Sequence, residues 1–528
     1  SFAALGNETN GVMDFLGATG ALTAGAGSDI TNTGRFNINS GVGQTVTLTT
    51  SGGGSFTSSG LIDMVDGETA DRLVINGDAV LNGVIGMDVN VSGAMVGTSP
   101  ADTADQVNVT GTATGAPTLA FSNVNGVFSN VAAPIDLITA ASTAGVSATQ
   151  TGLPTNGAFV YNLQNTGTAV QLTATPNLAF GGVASGLAAT QSLISTVVNR
   201  PSSALVTPLV APGDDPCAIG SWSRITGGRA SASLSTSAAS LPGSLSNQID
   251  LRYRGIQIGL DRSCSGGYYN GWDLAYGAML GTNGGDTSLP VNFGGTVTTL
   301  STEFDQTFGG LYLSAAKGQW FGDLSIRADK TTYSIQESNS FANGGLGIET
   351  QDFDSRGKTV SGSLSYSHTL NEQLGLRLVP TAGFSFSHIE SDSIAIENDP
   401  STTADNATLQ VGDIDQRIGY LGATLARTQV AESGTAATTY FVTGTYFNDF
   451  GDDLDSTFTV DSNGSSQVLT SETLAGFGEL SFGFNYTAIL DAGSALPARQ
   501  VDASLRADTR FSDNLDSWGL TAQVRLQF

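Results

Sequence analysis

Residues 1–215 of this 528-residue chain contain no lysine, histidine, cysteine or tryptophan, and only three arginines. Without His or Cys, this part of the chain cannot supply a Ser-His-Asp or a Cys-His catalytic site. The whole chain has 20 basic and 47 acidic residues, which excludes nucleic acid as a partner because phosphate binding needs clustered Lys and Arg. Zinc-ligand spacings, P-loops, dinucleotide fingerprints and Gly-x-Ser-x-Gly elbows are also missing. We therefore expect no catalytic residue, no metal and no cofactor.

A compositional step divides the chain near residue 215. The other 17 basic residues, both histidines, both cysteines and all four tryptophans follow it, so at least two domains are expected. No initiator methionine and no signal peptide stand at Ser1. Because the barrel predicted below must be exported, we expect that a signal peptide was removed before Ser1.

The amino-terminal part consists of short runs of Val, Leu, Ile, Thr and Asn that are separated by Gly, and it contains an internal repeat. The segment from Ala70 to Ala79 recurs from Ala104 to Ala113. Repetition of a strand-turn-strand unit predicts a parallel β-helix, with a β-sandwich as the alternative. Two aspartates in the repeat are candidate calcium ligands, but we favour a role in accepting backbone N–H groups at turns. They are Asp71 and Asp105.

Residues 181–201 predict a helix. Leu187, Leu193, Ile194 and Val197 recur at near-helical spacing, and Pro201 would end the helix. A membrane-spanning helix is the alternative, given the length and the lack of charge before residue 200. We discount it because Ser, Thr, Gln and Gly interrupt the segment. Its small residues suit a helix that threads a narrow barrel lumen.

The last eleven residues alternate between apolar and polar side chains and end on an aromatic residue. Because side chains of a strand alternate between faces, one face is apolar and the other polar, as in an outer-membrane β-barrel. The same alternation occurs upstream, and twelve candidate strands lie near residues 218–231, 250–263, 268–282, 299–316, 319–334, 354–369, 373–390, 408–427, 436–450, 471–487, 499–511 and 516–528. An even number of antiparallel strands closes into a barrel whose two chain ends lie on the same side of the membrane.

The direction of each predicted strand determines on which side of the membrane the residues at its ends lie. If the last strand ends at the periplasm, the longer connections near residues 232–249, 283–298, 335–353, 391–407 and 451–470 are external. Three tryptophans then begin outward-running strands and belong to a periplasmic aromatic girdle: Trp222, Trp272 and Trp320. Cys217 starts the first strand and Cys264 ends the second, so these neighbours are predicted to form a disulfide at the periplasmic rim, with two free thiols as the alternative.

Three parts of the chain resemble, in order, a type Va autotransporter. Residues 60–115, with the two repeat copies, are similar to the pertactin-like end of a passenger β-helix. Thr175-Pro-Asn177 followed by an apolar helix resembles the linker that occupies the barrel pore. Residues 218–528 resemble the twelve-stranded β-domain, with Trp222 in the first strand and Phe528 at the end.

The resemblance implies an all-β chain in three parts. Residues 1–178 are expected to form a right-handed parallel β-helix, the passenger stalk. Residues 179–216 would form the pore helix and linker, and residues 217–528 a 12-stranded antiparallel transmembrane β-barrel. The passenger is short for this family, so either the stalk is small or more passenger lies upstream.

The function implied is secretion and display of the chain's own passenger, in a structural or adhesive role and without catalysis. One alternative is a porin-like channel with an amino-terminal plug. Another is the translocator of an enzyme whose catalytic passenger lay upstream.

The family also implies a location and partners. The barrel would lie in the bacterial outer membrane, in contact with its lipid and lipopolysaccharide, with the passenger at the cell surface. The barrel-assembly machinery would insert it, with Trp518, Leu526 and Phe528 as the carboxy-terminal assembly signal. The surface partner of the passenger is not specified.

Overall fold

The computed structural model describes residues 5–41, 43–91, 103–124, 134–153, 159–198, 217–239, 243–293, 296–340, 343, 345–397, 406–460, 466–490 and 499–528. They form a parallel β-helix, one α-helix and a closed antiparallel barrel. No helix among the described residues has the length and apolar character needed to cross a membrane.

The amino-terminal part is a three-sided solenoid of parallel strands. Every third strand belongs to the same sheet, so each coil adds one strand to each of three sheets. The strands are β1 (Leu5–Asn7), β2 (Val12–Asp14), β3 (Thr19–Ala26), β4 (Ile30–Asn32), β5 (Arg35–Asn37), β6 (Thr45–Ser51), β7 (Ser55–Ser58), β8 (Leu61–Asp63), β9 (Arg72–Asn76), β10 (Asp78–Leu81), β11 (Val84–Val89), β12 (Gln106–Val109), β13 (Thr112–Gly115), β14 (Thr118–Asn123), β15 (Ile135–Thr139), β16 (Ser142–Val146) and β17 (Thr149–Thr151).

The sequence repeat sets the register of this solenoid. β12 pairs with β9 in parallel, with Val107 opposite Leu73 and Val109 opposite Ile75, so that equivalent positions of the two repeat copies are partners. The same relationship places Ala113 beside Ala79 in the next sheet. These side chains are buried, so equivalent positions of successive coils form one continuous apolar core. The predicted β-helix is confirmed.

The two repeat aspartates join coils through backbone N–H groups, as predicted. Asp71 accepts from the N–H of Gln44 at 2.6 Å, while Asp105 accepts from the N–H groups of Asp71 at 3.0 Å and Asp88 at 2.7 Å. Both side chains are fully buried. Burial raises the pKa of Asp71 to about 7 and that of Asp105 to about 9, because the low-dielectric interior disfavours the carboxylate.

An antiparallel hairpin ends the solenoid and leads into the helix. β18 (Phe159–Asn165) pairs with β19 (Ala169–Pro176), which also pairs antiparallel with β15. The helix α1 (Ala179–Val198) begins directly after it. The predicted helix is confirmed, whereas its predicted end at Pro201 lies outside the described residues.

The carboxy-terminal part closes into a barrel of twelve antiparallel strands, as predicted. These twelve are β20 (Cys217–Ser237), β21 (Ser244–Tyr269), β22 (Trp272–Phe293), β23 (Thr296–Lys317), β24 (Trp320–Glu337), β25 (Gln351–Tyr366) with its continuation β26 (His368–Asn371), β27 (Leu376–Ser391), β30 (Ile414–Val430), β31 (Ala436–Asp449), β34 (Gly476–Leu490), β35 (Arg499–Ser512) and β36 (Leu515–Gln527). Four shorter strands extend the hairpins at one end: β28 (Ile394–Glu397), β29 (Asn406–Val411), β32 (Leu454–Val460) and β33 (Ser466–Ser471).

Closure joins the last strand to the first. β36 pairs with β20 from Gly220 opposite Gln527 to Ala232 opposite Leu515. The N–H and C=O groups of Phe528 also bond those of Ile219. We call the end of the barrel that carries Phe528 and the cysteines the disulfide end, and the opposite end, with the long hairpins, the hairpin end.

The predicted external connections were partly wrong. Residues 232–249 and 283–298 were expected to be loops, but β20 runs to Ser237 and β22 to Phe293. Strands β28, β29, β32 and β33 occupy parts of two further connections. In these hairpins the segments are rich in Ser, Thr, Asn and Gly. Their apolar residues, such as Leu234, Ile394 and Phe458, are buried on the inner face, so these strands lack the outward apolar residues of a lipid-facing strand.

Side-chain parity separates lumen from outer surface as the sequence predicted. On β36, Val524 is 49% exposed on the outside, whereas Arg525 is 2% exposed inside. The same alternation continues on the neighbouring strands, and an apolar band surrounds the barrel. Its members include Ile258, Leu260, Leu280, Leu311, Ile326, Leu364, Phe386, Leu421, Val442, Phe482, Leu505 and Leu520.

Candidate functional site: the helix-filled barrel lumen

Helix α1 lies inside the barrel, and its start is fixed at the hairpin end. The Asn177 side chain accepts from the N–H of Ala179 at 3.1 Å, which caps the helix. Small residues then allow close approach to the wall. An added Cβ on Gly181 would lie 2.1 Å from the Thr236 methyl group, and one on Gly182 would lie 2.9 Å from Leu289. The first turns of α1 therefore pack directly against β20 and β22.

Polar side chains of three barrel strands contact the middle of α1. Gln191 donates to the Tyr333 hydroxyl at 2.6 Å and accepts from Gln306 at 3.4 Å. On other strands, the amide of Gln416 donates to the Ala188 carbonyl at 3.3 Å. Ala188 lies in the middle of α1, and a backbone carbonyl has two lone pairs, so its oxygen can accept from Gln416 in addition to the helix's own N–H group. The contacts of Gln191 therefore depend on the helix sequence, whereas the contact from Gln416 is made to the helix backbone.

Arginine and carboxylate pairs line the lumen. Glu479 of β34 accepts from Arg506 at 2.6 Å and from Arg510 at 2.9 Å, both on β35. Arg510 also donates to the Leu193 carbonyl of α1 at 3.4 Å. Buried charges are tolerated only when they are paired and hydrogen-bonded. The pairing therefore gives a polar lumen whose opposite charges are balanced locally.

A cavity of about 650 Å³ remains in the lumen towards the disulfide end. It reaches from Ser195 of α1 to the turn residues Gly318 and Gln319, which connect β23 to β24. Its wall combines apolar residues such as Phe384 and Phe441 with hydroxyl and charged side chains, among them Thr424, Thr443, Ser504, Arg224, Glu479 and Asp502. Helix α1 therefore fills the part of the lumen nearer the hairpin end and leaves a vestibule of mixed polarity towards the disulfide end.

The hairpin end is covered by an apolar contact between all three parts of the chain. Phe458 of β32 lies 5.6 Å from the Phe159 ring of the solenoid hairpin and 5.3 Å from the Phe180 ring of α1, between ring centroids. All three side chains are buried, as are Leu346 and Ile394 of neighbouring segments. Buried aromatic pairs stabilise by about 0.5–1.5 kcal/mol beyond their area. The solenoid is thus seated on the barrel.

The disulfide end contains the predicted bond. Cys217 and Cys264 are disulfide-linked and are Cα partners of β20 and β21. The three residues of the predicted assembly signal all face outward on or beside the last strand: Trp518, Leu526 and Phe528 are 56%, 45% and 57% exposed. Their role in assembly stays a prediction.

The aromatic-girdle prediction was wrong for Trp222. Trp272 and Trp320 are 40% and 50% exposed on the outer surface at the starts of their strands, but Trp222 is 5% exposed and faces the lumen. Its indole N–H donates to the Tyr312 hydroxyl at 2.7 Å. The opposite residue is Gly259, where any side chain would overlap the indole ring. Whether the other two tryptophans form a girdle stays a prediction.

Sequence reasoning also missed the residues that hold the helix. Gln306 and Gln416 carry no motif, and their partners on α1 lie far away along the chain. Gln191, on the helix itself, is equally without a motif. The sequence signal that could have found these residues is the alternation of inward and outward side chains along each strand. Gln306 and Gln416 share the inward face of their strands with other polar residues, and Trp222 shares it with Arg224.

Comparison with known proteins gives one family and several similar structures. The family model described as Autotransporter beta-domain matches residues 221–491. No curated protein matches the chain. The β domain of the Bordetella autotransporter BrkA has 16% sequence identity and a TM-score of 0.38, covering 58% of this chain and 98% of that one. The transport unit of AIDA-I from Escherichia coli has 12% identity and a TM-score of 0.43, covering 65% and 98%. The translocator domain of NalP from Neisseria meningitidis has 12% identity and a TM-score of 0.39, covering 65% and 99%.

Proposed function

This chain belongs to the autotransporter family, and on that premise we propose that it displays its own β-helix on the cell surface as a structural or adhesive stalk. The barrel lies in the outer membrane, with the disulfide end at the periplasm and the hairpin end outside. The observation that carries the proposal is the continuity of the chain through the lumen. Strand β19 of the solenoid leads at Asn177 into α1, which the barrel wall binds through Gln416 and Arg510.

We propose that display occurs without catalysis. The solenoid presents regular strands with a continuous apolar core, a form suited to an extended surface. Residues 1–215 include no His and no Cys, so the common nucleophile-base pairs have no members there. Accordingly, we expect that the purified chain hydrolyses neither peptide nor ester substrates above a heat-inactivated control.

The proposed partners follow from the outer surface. The apolar band contacts membrane lipid, and lipopolysaccharide would occupy the outer leaflet around the hairpin end. We propose that the barrel-assembly machinery recognises the last strand. In support, Leu526 and Phe528 are exposed beside the closing pair of strands, where the backbone of Phe528 bonds Ile219.

Protease accessibility on intact cells tests the orientation. A specific protease site would be inserted at Gly53, an exposed turn residue between β6 and β7, and in a matched variant at Gly318, an exposed turn residue between β23 and β24. We expect cleavage at Gly53 in intact cells and at Gly318 only after the outer membrane is permeabilised. The reverse pattern, or protection of both sites until permeabilisation, would place the stalk in the periplasm and refute display.

A channel is the second candidate, and the cavity of about 650 Å³ favours it. In that function α1 would be a removable plug. Conductance in planar bilayers separates the two: a display protein whose lumen holds α1 should be nearly closed, and deletion of residues 179–198 should open it. A wild-type conductance equal to that of the deletion variant would favour the channel.

A further inference from the structure

Three arginines form an unusual group on the outer surface of the barrel. Arg229 of β20 is the Cα partner of Arg252 of β21, and Arg254 follows two residues later on the same face. All three side chains are exposed. They share the outward parity of Ile225 and Ile256, which are 55% and 45% exposed. We call Arg229, Arg252 and Arg254 the arginine triad.

The triad lies where the apolar band ends towards the hairpin end. On β21 the outward residues towards the disulfide end are Ile256 and Ile258, whereas the next one beyond the triad is Asp250. On the closing strand, the Cα partner of Arg229 is Trp518, whose side chain is 56% exposed. Exposed tryptophan beside a change from apolar to charged residues marks a membrane–water interface. The triad is therefore at the level of the lipid headgroups.

The triad has no ion-pair partner among the described residues: no carboxylate lies within ion-pair distance of its guanidinium groups. Like charges directly opposite each other in a sheet are destabilising. The nearest outward carboxylates are Asp286, the Cα partner of Arg252 on β22, and Asp250 and Asp516, which lie on either side of Ser231 of β20. An anion from outside the chain would relieve this repulsion.

Space for such an anion exists beside Arg254. Its Cα partners on the neighbouring strands are Gly227 and Gly284. Both glycines fall on the outward parity. The Asp305 carboxylate of β23 lies over Gly284, 2.9 Å from an added Cβ, whereas an added Cβ on Gly227 would meet only backbone and the Cβ of Arg254. The open side is therefore that of Gly227. Arg229 and Arg252 stand directly beyond it. The arrangement is a shallow depression over Gly227 with the three arginines of the triad around it.

We propose that the arginine triad binds a phosphate group of the anionic glycolipid in the outer leaflet. Guanidinium groups bind phosphate through paired N–H donors. Acyl chains of the same lipid would run along Ile256, Ile258 and the apolar band below. This inference rests on the proposed orientation, because only that orientation places the triad in the outer leaflet.

Lys330 provides a matched control. Its side chain is exposed on the outside of β24, but its ammonium group is already paired with Asp354 at 2.7 Å. Replacing Lys330 by a neutral residue removes one positive charge from the outer surface, but that charge already has a carboxylate partner. An effect of the triad that Lys330 does not share is therefore specific to the depression.

The test measures lipid retention by the full-length protein in non-ionic detergent. Three probes are compared by native mass spectrometry: a bisphosphorylated lipid A, the same glycolipid after dephosphorylation, and inorganic phosphate. We expect retention of the phosphorylated lipid alone. The R229Q/R252Q/R254Q variant should bind it about tenfold or more weakly, since three charge-assisted contacts are lost, while K330Q should stay within about twofold of wild type.

Equal retention of the dephosphorylated lipid would show that the acyl chains bind alone and would overturn the proposal. Competition by inorganic phosphate at similar concentration would show a site for free anions instead. Equal losses in K330Q would show a bulk charge effect. If the triple variant does not fold, judged by heat-modifiable migration, R254Q alone is used. Failure of this inference leaves the protease result at Gly53 intact, whereas failure of the proposed function changes that result in wild type.

Discussion

Arg525 of the last barrel strand reaches across the first strand to the carboxylate of Asp261 on the second, with 2.7 Å between Nη2 and Oδ1. Both side chains are 2% exposed. The residue between them is Gly220, where an added Cβ would lie 2.6 Å from the Asp261 carboxylate. The Asp261 carboxylate also accepts from Tyr312 of β23 at 2.8 Å. The seam between β36 and β20, where the barrel closes, is thus held by this ion pair inside the lumen as well as by backbone hydrogen bonds.

The bridge predicts a seam-specific defect in R525M. Removing one partner leaves a buried Asp261 charge, which costs about 3–5 kcal/mol, whereas R525M/D261N removes that charge and should recover most of the stability. Hydrogen exchange should accelerate in β36 and β20. The control is R327M, because Arg327 pairs with Asp329 of its own strand at 3.4 Å. Equal exchange at the seam in R525M and R327M would refute a seam bridge.

Two glycines of α1 predict opposite effects of the same substitution. G181A places a Cβ 2.1 Å from Thr236, so we expect a loss of about 1–3 kcal/mol from overpacking. G186A meets nothing within 4 Å and borders a cavity of about 20 Å³. It should stabilise the helix by up to about 1 kcal/mol, because Ala is the better helix former.

The unfolding temperature and the conductance in planar bilayers would be measured for both glycine variants. G181A should melt earlier and conduct more often as the helix leaves the wall, while G186A should melt later and stay closed. If both variants conduct like wild type, α1 does not control the pore.

The sequence predicted the features that depend on local periodicity. The internal repeat predicted a parallel β-helix, in which Val107 pairs with Leu73, and parity placed Arg525 in the lumen. Features that join distant segments were not predictable. Arg525 and Asp261 are 264 residues apart, and neither residue carries a motif that names the other. The hairpins beyond the membrane were missed because their apolar residues, such as Ile394, Ile396 and Phe458, are buried on the inner face. This pattern is the reverse of the outward apolar face by which the lipid-facing strands were recognised.

The buried aspartates predict that the solenoid is less stable at high pH. The pKa of Asp105 is raised to about 9 and that of Asp71 to about 7, mainly by burial. Between the ordinary value of 3.8 and these values, the folded chain binds protons that the unfolded chain releases. Stability is therefore fully present below about pH 4 and falls as the pH rises towards 9, by at most about 1.4 kcal/mol per unit for each carboxyl.

Urea-dependent proteolysis of the full-length protein at pH 4, 6, 7.5 and 9 checks this prediction, with cleavage in the solenoid as the readout. D105N should be less stable at low pH, because an amide cannot accept both N–H groups, but its pH slope should be shallower. D78N is the control: exposed Asp78 also accepts a backbone N–H of the next coil, that of Thr112 at 2.7 Å. A D105N slope equal to that of wild type and D78N would refute the assignment.

The position of Trp222 predicts that it is shielded from lipid although it lies in a transmembrane strand. Four single-tryptophan variants, with the other three residues changed to Phe, would be reconstituted in brominated lipid. Trp272, Trp320 and Trp518 are at least 40% exposed on the outside and should be quenched, whereas Trp222 should keep its fluorescence. W222F should also cost about 1 kcal/mol through the lost bond to Tyr312, and W272F almost nothing. Strong quenching of Trp222 would mean that β20 presents its other face to the lumen, and Arg224 would then face lipid, at a depth-dependent cost of up to about 2–4 kcal/mol.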